Sequence, residues 1–379
     1  MSRALRLCRH LNAPEPLLLS CQTRLHLLAD GFERAGVFSA KPFVSQTLKA
    51  FPTLALKARI NHIAEHLSKS LPSDFLAAKE AIEAAMPAPL DPTKTDNDFG
   101  HFIYAPLGVY VENHGLVGHF ESSLDLLEQI TQRFSMEFSL RAFLNHDAAA
   151  TLARAKAWTL HESYHVRRLA SEGTRPKLPW GQNVGLSVQD TLPILDALHN
   201  DPTRFVTRSV ANHLNDITKD DPSAVIGRLT NWQKTAKQSA PELTWMRKHA
   251  LRTLVKSGRA GAMTHLGYTP DVAINAAKIN IPNEIAFGDK PIIACEFTPE
   301  TDAPLIVDYV IDFMKSNGKT APKTFKMKVL DGKANKTIQL EKAHHFDNTA
   351  TTFKLYAGAH KIHLQINGRI VASQAFSLS

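Results

Sequence analysis

"TRFVTRSVANHLNDITKDDP", residues 203–222, carries two stripes in one segment. Phe205, Val206, Val210, Leu214 and Ile217 recur every three or four residues, the spacing of an apolar helix face that faces a core. Arg204, Arg208, Asn212, Asn215 and Lys219 recur at the same spacing and share the other face. Two arginines, two amides and a lysine in one row suit phosphate oxygens, with forked guanidiniums and neutral amide donors. A solvated face whose cations pair with Asp216 and Asp220 is the competing reading.

The stretch is one of a series. Val166-Arg167-Arg168, Val206-Thr207-Arg208 and Met246-Arg247-Lys248 align at a constant spacing of 40 residues, and Ala170, Val210 and Ala250 continue the register. A period of about 40 residues in helical sequence is the mark of HEAT-type repeats, which stack because no single unit buries its apolar face alone. In "TWMRKHALRTLVKSG" (244–258), Lys248, Arg252 and Lys256 form a second basic stripe, with Trp245 and His249 beside it. "LALKARINHIAEHL" (54–67) and "SSLDLLEQITQRF" (122–134) extend the helical reading over residues 40 to 265.

Beyond residue 270 the period changes from 3.6 to 2. "VDYVIDF" (307–313) alternates Val307, Tyr309, Ile311 and Phe313 against Asp308 and Asp312, and "TFKMKVL" (324–330) alternates Phe325, Met327 and Val329 against lysines. "KIHLQINGRIVA" (361–372) ends its apolar face at Asn367-Gly368, a hairpin signal, and Asn317-Gly318 is another. Seven or so short strands predict an immunoglobulin-like β-sandwich. The predicted organisation is therefore an extension of unknown role over 1–35, a HEAT-like α-helical solenoid over 36–268, and a sandwich over 269–379, with the boundary in "LGYTPDVAIN" (266–275).

Composition narrows the function classes. Of 379 residues, 44 % are hydrophobic and 21 % charged, ordinary for a globular protein. No apolar run is long enough for a transmembrane helix, and the N-terminus lacks the continuous apolar core and small-residue cleavage site of a secretory signal, so a cytoplasmic protein without membrane contact is expected. Cys8, Cys21 and Cys295 are few and scattered, so neither a disulfide framework nor a zinc site is predicted, and no metal is expected. The net charge is +8, and residues 161–260 hold fifteen Lys and Arg against nine Asp and Glu. Most of the excess thus lies in about a quarter of the chain, which points to an anionic partner, nucleic acid first.

The remaining informative stretch is "HVRRLASEGTRPKLPW" (165–180), which crowds Arg167, Arg168, Glu172, Arg175 and Trp180 around a helix exit at Gly173. Together with "SMEFSLRAFL" (135–144), "RSVANHLNDITKDDP" (208–222), "KHALRTLVKSG" (248–258) and "DYVIDFMKSNGKTAPKTFKMK" (308–328), it resembles the AlkC-type DNA alkylation repair glycosylases. The resemblance covers most of residues 40 to 379, and none is found for residues 1–35. It implies a HEAT-like enzyme that removes cationic N-alkylated bases, chiefly 3-methyladenine and 3-methylcytosine, from double-stranded DNA without fully flipping the lesion. No cofactor or metal is implied, and a monomer acting on the bacterial nucleoid is expected.

Such chemistry needs carboxylates, because breaking the glycosidic bond builds positive charge on the sugar, and an aromatic face, which attracts a cationic base. The resemblance carries Glu137 and Glu172 over as the carboxylates at the lesion and Trp180 as the aromatic partner, with Asp216 a further candidate acid. Arg167, Arg168 and Arg175 are carried over as phosphate binders or orienters of the carboxylates, and the two stripes add Arg204, Arg208, Asn212, Asn215, Lys219, Lys248, His249 and Arg252. Plainer roles compete: a surface ion pair of Glu172 with Arg168, a core position for Trp180, and pairing of Asp216 within its own helix. A catalytically silent binder of DNA structure and a protein-binding helical scaffold are the rival functions. The basic 40-residue register speaks against the scaffold.

Overall fold

The computed structural model describes residues 16–96, 98–349 and 354–379. Fifteen α-helices and two short 3-10 turns precede eight β-strands among them. No helix of the described residues is long and apolar enough to cross a membrane.

The helical reading begins earlier than predicted. The Pro16–Arg34 helix runs through the stretch assigned to an extension, and Leu25, Leu28, Ala29 and Phe32 are buried in it. Their i, i+3, i+4, i+7 spacing is that of a core-facing stripe. Cys8 lies outside the described residues. The 40-residue register appears as burial: Val166, Val206 and Met246 are each fully buried, and so are Ala170, Val210 and Ala250. The basic side chain two positions after each register start does not keep one environment. Arg168 is buried, Arg208 half-buried and Lys248 exposed.

By internal contacts the chain divides into two compact units. One runs to Ile217 and takes in Ala236–Glu242, and the other joins Thr218–Thr235 to Leu243–Ser379. The last helices thus group with the strands, where the sequence reading separated them near residue 268. Within this second unit the carbonyl of Lys256 accepts from Thr324 Oγ1 at 3.0 Å and from Gln365 Nε2 at 3.5 Å. Gly258 and Gly368 meet backbone to backbone: a Cβ on Gly258 would lie 2.3 Å from the Gly368 carbonyl oxygen, so neither position has room for a side chain.

The strands form a three-stranded sheet in the order β1 (Ile274–Asn280), β3 (Ile292–Pro299), β6 (Ile338–Ala343). A five-stranded sheet has the order β2 (Glu284–Ile285), β8 (Arg369–Leu378), β7 (Gly358–Ile366), β4 (Ala303–Met314), β5 (Thr320–Gly332). The pairs are antiparallel except β2 with β8. Ile293, Phe297, Val307, Ile311, Ile362, Leu364 and Ile366 fill the core between the sheets. Asn367 and Gly368 both have positive φ, 44° and 85°, as a two-residue hairpin turn requires.

Two details depart from simple alternation. A bulge shifts the β4–β5 register, with Val307 opposite Lys328 but Asp308 opposite Lys326. The extra residue turns Val329 outward, and Leu330 packs on the core instead. Asp308, placed by the pattern on a solvent face, is buried, and burial raises its carboxyl despite Lys326 at 3.3 Å.

Several buried histidines make the protein acid-sensitive. Burial, the largest cause in each case, pushes His165 down to about 4, His213 to about 3 and His344 to about 4. A histidine held neutral when folded binds more protons when unfolded, so stability falls as the pH drops below 6.5 toward these values. The cost is roughly 1 kcal/mol per histidine for each pH unit. Asp308 opposes it, because a carboxyl protonated more readily in the folded state gains stability as the pH falls. The thermal midpoint is therefore expected to drop by about 5–10 °C between pH 7.5 and 5.5. A flat or rising midpoint over that range would contradict the assignment of these histidines as neutral.

Candidate active site

The Tyr164–Gly173 helix is buried along nearly its whole length, with His165, Arg168, Ser171 and Glu172 among its buried side chains. Its start is fixed by Arg167, whose Nη1 donates to the His161 and Glu162 carbonyls at 2.8 and 2.7 Å while Nε reaches Asp201 Oδ2 at 2.6 Å. Its end is fixed by Gly173, where a Cβ would come within 2.5 Å of Leu140 Cδ2. The chain leaves the helix there, and Arg175 turns back toward Glu172.

Three carboxylates and two guanidiniums follow one another in contact. Arg175 Nη1 donates to Glu172 Oε1 at 2.6 Å, and its Nε donates to Asp216 Oδ2 at 2.9 Å. Ser209 Oγ donates to the other Glu172 oxygen at 2.6 Å. Arg168 lies 3.7 Å from Glu172 and donates from Nη1 to Ser135 Oγ at 2.7 Å and to Glu137 Oε2 at 3.2 Å. Its guanidinium also sits over the Phe205 and Phe99 rings, 4.6 and 5.5 Å from their centroids. Beneath them His213 Nδ1 donates to the Ser171 carbonyl at 3.0 Å. His213 is held neutral by its burial, so its one proton lies on Nδ1.

The electrostatics follow from the contacts. Burial alone would raise the Glu172 carboxyl, but Arg175, Arg168 and the Ser209 hydrogen bond outweigh it and hold Glu172 down at about 2. Glu172 is therefore a carboxylate at neutral pH. The Glu137 side chain is the most accessible of the three acids, 14 % exposed against 8 % for Glu172 and 5 % for Asp216.

The structure gathers Glu137, Glu172, Asp216, Arg168 and Arg175 into this cluster. The Arg168–Glu172 pair is present but buried rather than on the surface, and Asp216 pairs with Arg175 at another helix exit. Trp180 is no core residue. It is 54 % exposed, with a φ of +69° and its carbonyl 2.9 Å from Lys57 Nζ. Arg167 clamps a loop to Asp201.

Nor does the stripe on the Arg204–Ile217 helix lie along one open face. Asn215 is buried, Asn212 half-buried and Lys219 exposed. Arg204 Nε reaches both Glu242 oxygens at 2.7 and 2.9 Å, and Arg208 pairs with Asp96. In the second unit Lys248 is exposed, the His249 ring stacks on Trp245 with centroids 4.8 Å apart, and Arg252 donates to the His249 carbonyl. The sequence reading missed Ser135, Ser209, His213, Phe99, Phe205 and Arg141. Only the mixture of polar residues with fully apolar neighbours in "RSVANHLND" hints at Ser209 and His213.

Known proteins share this arrangement of elements. Residues 274–379 match the family model described as the C-terminal Ig-like domain of the uncharacterised protein YhaZ. The uncharacterized protein YhaZ of Bacillus subtilis (strain 168) is 33 % identical over 340 residues, covering 87 % of this chain and 89 % of the relative. Among solved structures, the Pseudomonas fluorescens alkylpurine DNA glycosylase AlkC, bound to DNA containing an abasic site analog, matches with a TM-score of 0.83. That match has 32 % identity and covers 94 % of this chain and 98 % of the other.

Proposed function

Because the chain belongs to the family that includes AlkC and YhaZ, we propose that it is a DNA glycosylase that hydrolyses the N-glycosidic bond of alkylated bases. The observation that carries the reading is the match to AlkC over 94 % of the chain, and the buried carboxylate cluster lends it chemical sense. Its substrates are cationic N3-alkylated bases in double-stranded DNA, 3-methyladenine and 3-methylcytosine.

The state of the acids fits that substrate class. A carboxyl at about 2 has no proton to give at neutral pH, so Glu172 is no general acid. An N3-alkylated base needs none. When the bond to the sugar breaks, its electron pair goes to the base nitrogen and cancels the positive charge the base carried. Positive charge develops on the deoxyribose, and fixed carboxylates stabilise it. Water then bonds to the anomeric carbon and loses its proton to a carboxylate or to solvent. On this reading Glu137, the most accessible acid, contacts the sugar or the water, Glu172 supplies fixed negative charge behind it, and Asp216 holds the Arg175 guanidinium. The lesion is attacked, on the same reading, without complete flipping. The enzyme acts as a monomer on cytoplasmic DNA and uses no cofactor.

The test is release of free base from DNA carrying either lesion, with no metal added. The expected result is 3-methyladenine or 3-methylcytosine above the buffer control, leaving an abasic site. Binding without release of either base would instead favour a silent reader of DNA structure.

A further inference from the structure

Arg141 sits wholly buried on the Leu140–His146 helix, just beyond Glu137. Its guanidinium donates to three main-chain carbonyls: from Nη1 to Gly173 at 3.1 Å and Arg175 at 2.8 Å, and from Nε to Gln182. A buried cation spent on carbonyls is costly, and burial lowers its pKa. What the three carbonyls share is the segment between them. They bracket residues 173–182, and that segment carries Trp180.

The backbone at Trp180 is strained. Gly181 N donates to the Leu178 carbonyl at 3.1 Å, so Leu178-Pro179-Trp180-Gly181 closes a turn with proline second and a positive φ third. The third position of such a turn normally holds glycine, because a side chain there costs about 1–2 kcal/mol. Here it holds a large aromatic residue that is mostly exposed. The glycine comes one residue later, where a Cβ would lie 2.9 Å from Arg141 Cδ and 3.0 Å from its Nε. Arg141 thus lies directly against the turn, and Lys57 ties the Trp180 carbonyl from another side. Observed strain of this kind at an exposed aromatic is a sign of a presented side chain.

We propose that Arg141 is a positioning residue, which fixes the 173–182 segment so that its strained turn presents the Trp180 indole to the cationic base. The inference rests on the glycosylase reading for its last step only.

The test uses Arg141→Lys, which keeps the charge and loses the fork, and Gly181→Ala, which keeps Arg141 and crowds it from the turn. Each is made alone and with Trp180→Ala. Single-turnover base release from DNA containing 3-methyladenine is measured below the melting temperature. Acrylamide quenching of Trp180 is read as the difference between each chain and its Trp180→Phe counterpart. Arg141→Lys and Gly181→Ala are each expected to slow release by about tenfold or more, the scale of a small misplacement of a reacting group. Combined with Trp180→Ala, neither should add more than about twofold, because residues that act through one another are not additive. The Trp180 quenching constant should change in both single variants. Losses that multiply with that of Trp180→Ala, or unchanged quenching, overturn the proposal. If Arg141→Lys does not fold, Gly181→Ala decides by the same criteria. If the wild-type chain releases no base, the glycosylase reading fails, and quenching alone still reports whether Arg141 holds Trp180.

Discussion

Glu172→Gln is expected to slow base release by about 100-fold, the loss that accompanies removal of an electrostatic contact of ~3 kcal/mol at a charged transition state. The substitution keeps the shape of the side chain and one oxygen to accept from Arg175, and removes the charge. Affinity for undamaged DNA should hold or rise slightly, since one negative charge is lost. The cluster is buried, so a loss of stability is expected as well, larger than the ~1 kcal/mol of an exposed pair. Asp216→Asn separates the two effects. It removes the same charge from the same guanidinium, Arg175, at a site less exposed than Glu172. If the cluster matters only for folding, both variants should lose turnover in proportion to their lost stability. If Glu172 stabilises charge on the sugar, it should lose far more turnover than Asp216→Asn at matched stability. Full activity in Glu172→Gln would remove it from the mechanism.

How far the sequence reveals the site depends on whether a residue's partners lie nearby in the chain. The apolar register at 166, 206 and 246 is legible because periodicity reports burial directly, and the same logic finds the strands from their alternation. Glu172 and Arg168 stand four residues apart on one helix, so their pairing follows from helix geometry, whereas Arg175 lies past the helix exit and its pairing with Glu172 does not. Arg204 and Arg208 read as open cations because Glu242 and Asp96 lie 38 and 112 residues away. Arg141 is the extreme case. In "LRAFL" it resembles a surface residue of an amphipathic helix, and the carbonyls that hold it lie 32 to 41 residues further on. Backbone carbonyls carry no residue signature, so no pattern in the sequence points to them. Asp308 hides for a related reason: alternation tells which face of a strand a residue takes, but not that the second face is covered too.

Arg175→Met should give the largest stability loss, about 3–5 kcal/mol, because it leaves Glu172 and Asp216 buried without their shared cation. That is a third or more of the stability of an ordinary domain, and its pH dependence identifies the cause. In the wild-type protein the Glu172 carboxyl is held below its ordinary value of 4.5. Its contribution is complete above that value and is lost as the pH falls toward about 2. Without Arg175, burial is the largest remaining influence and drives the carboxyl upward. The group then favours the folded state when protonated, so stability is lost as the pH rises through its new value. Urea unfolding at pH 5 and pH 7.5 should therefore show the wild-type protein gaining stability over that interval through its buried histidines, while Arg175→Met gains less or loses. Combining Arg175→Met with Glu172→Gln and Asp216→Asn removes the stranded charges and should recover much of the loss at pH 7.5. A penalty that is the same at both pH values, and that survives removal of both carboxylates, would mean that Arg175 stabilises the fold by packing rather than by neutralising the acids.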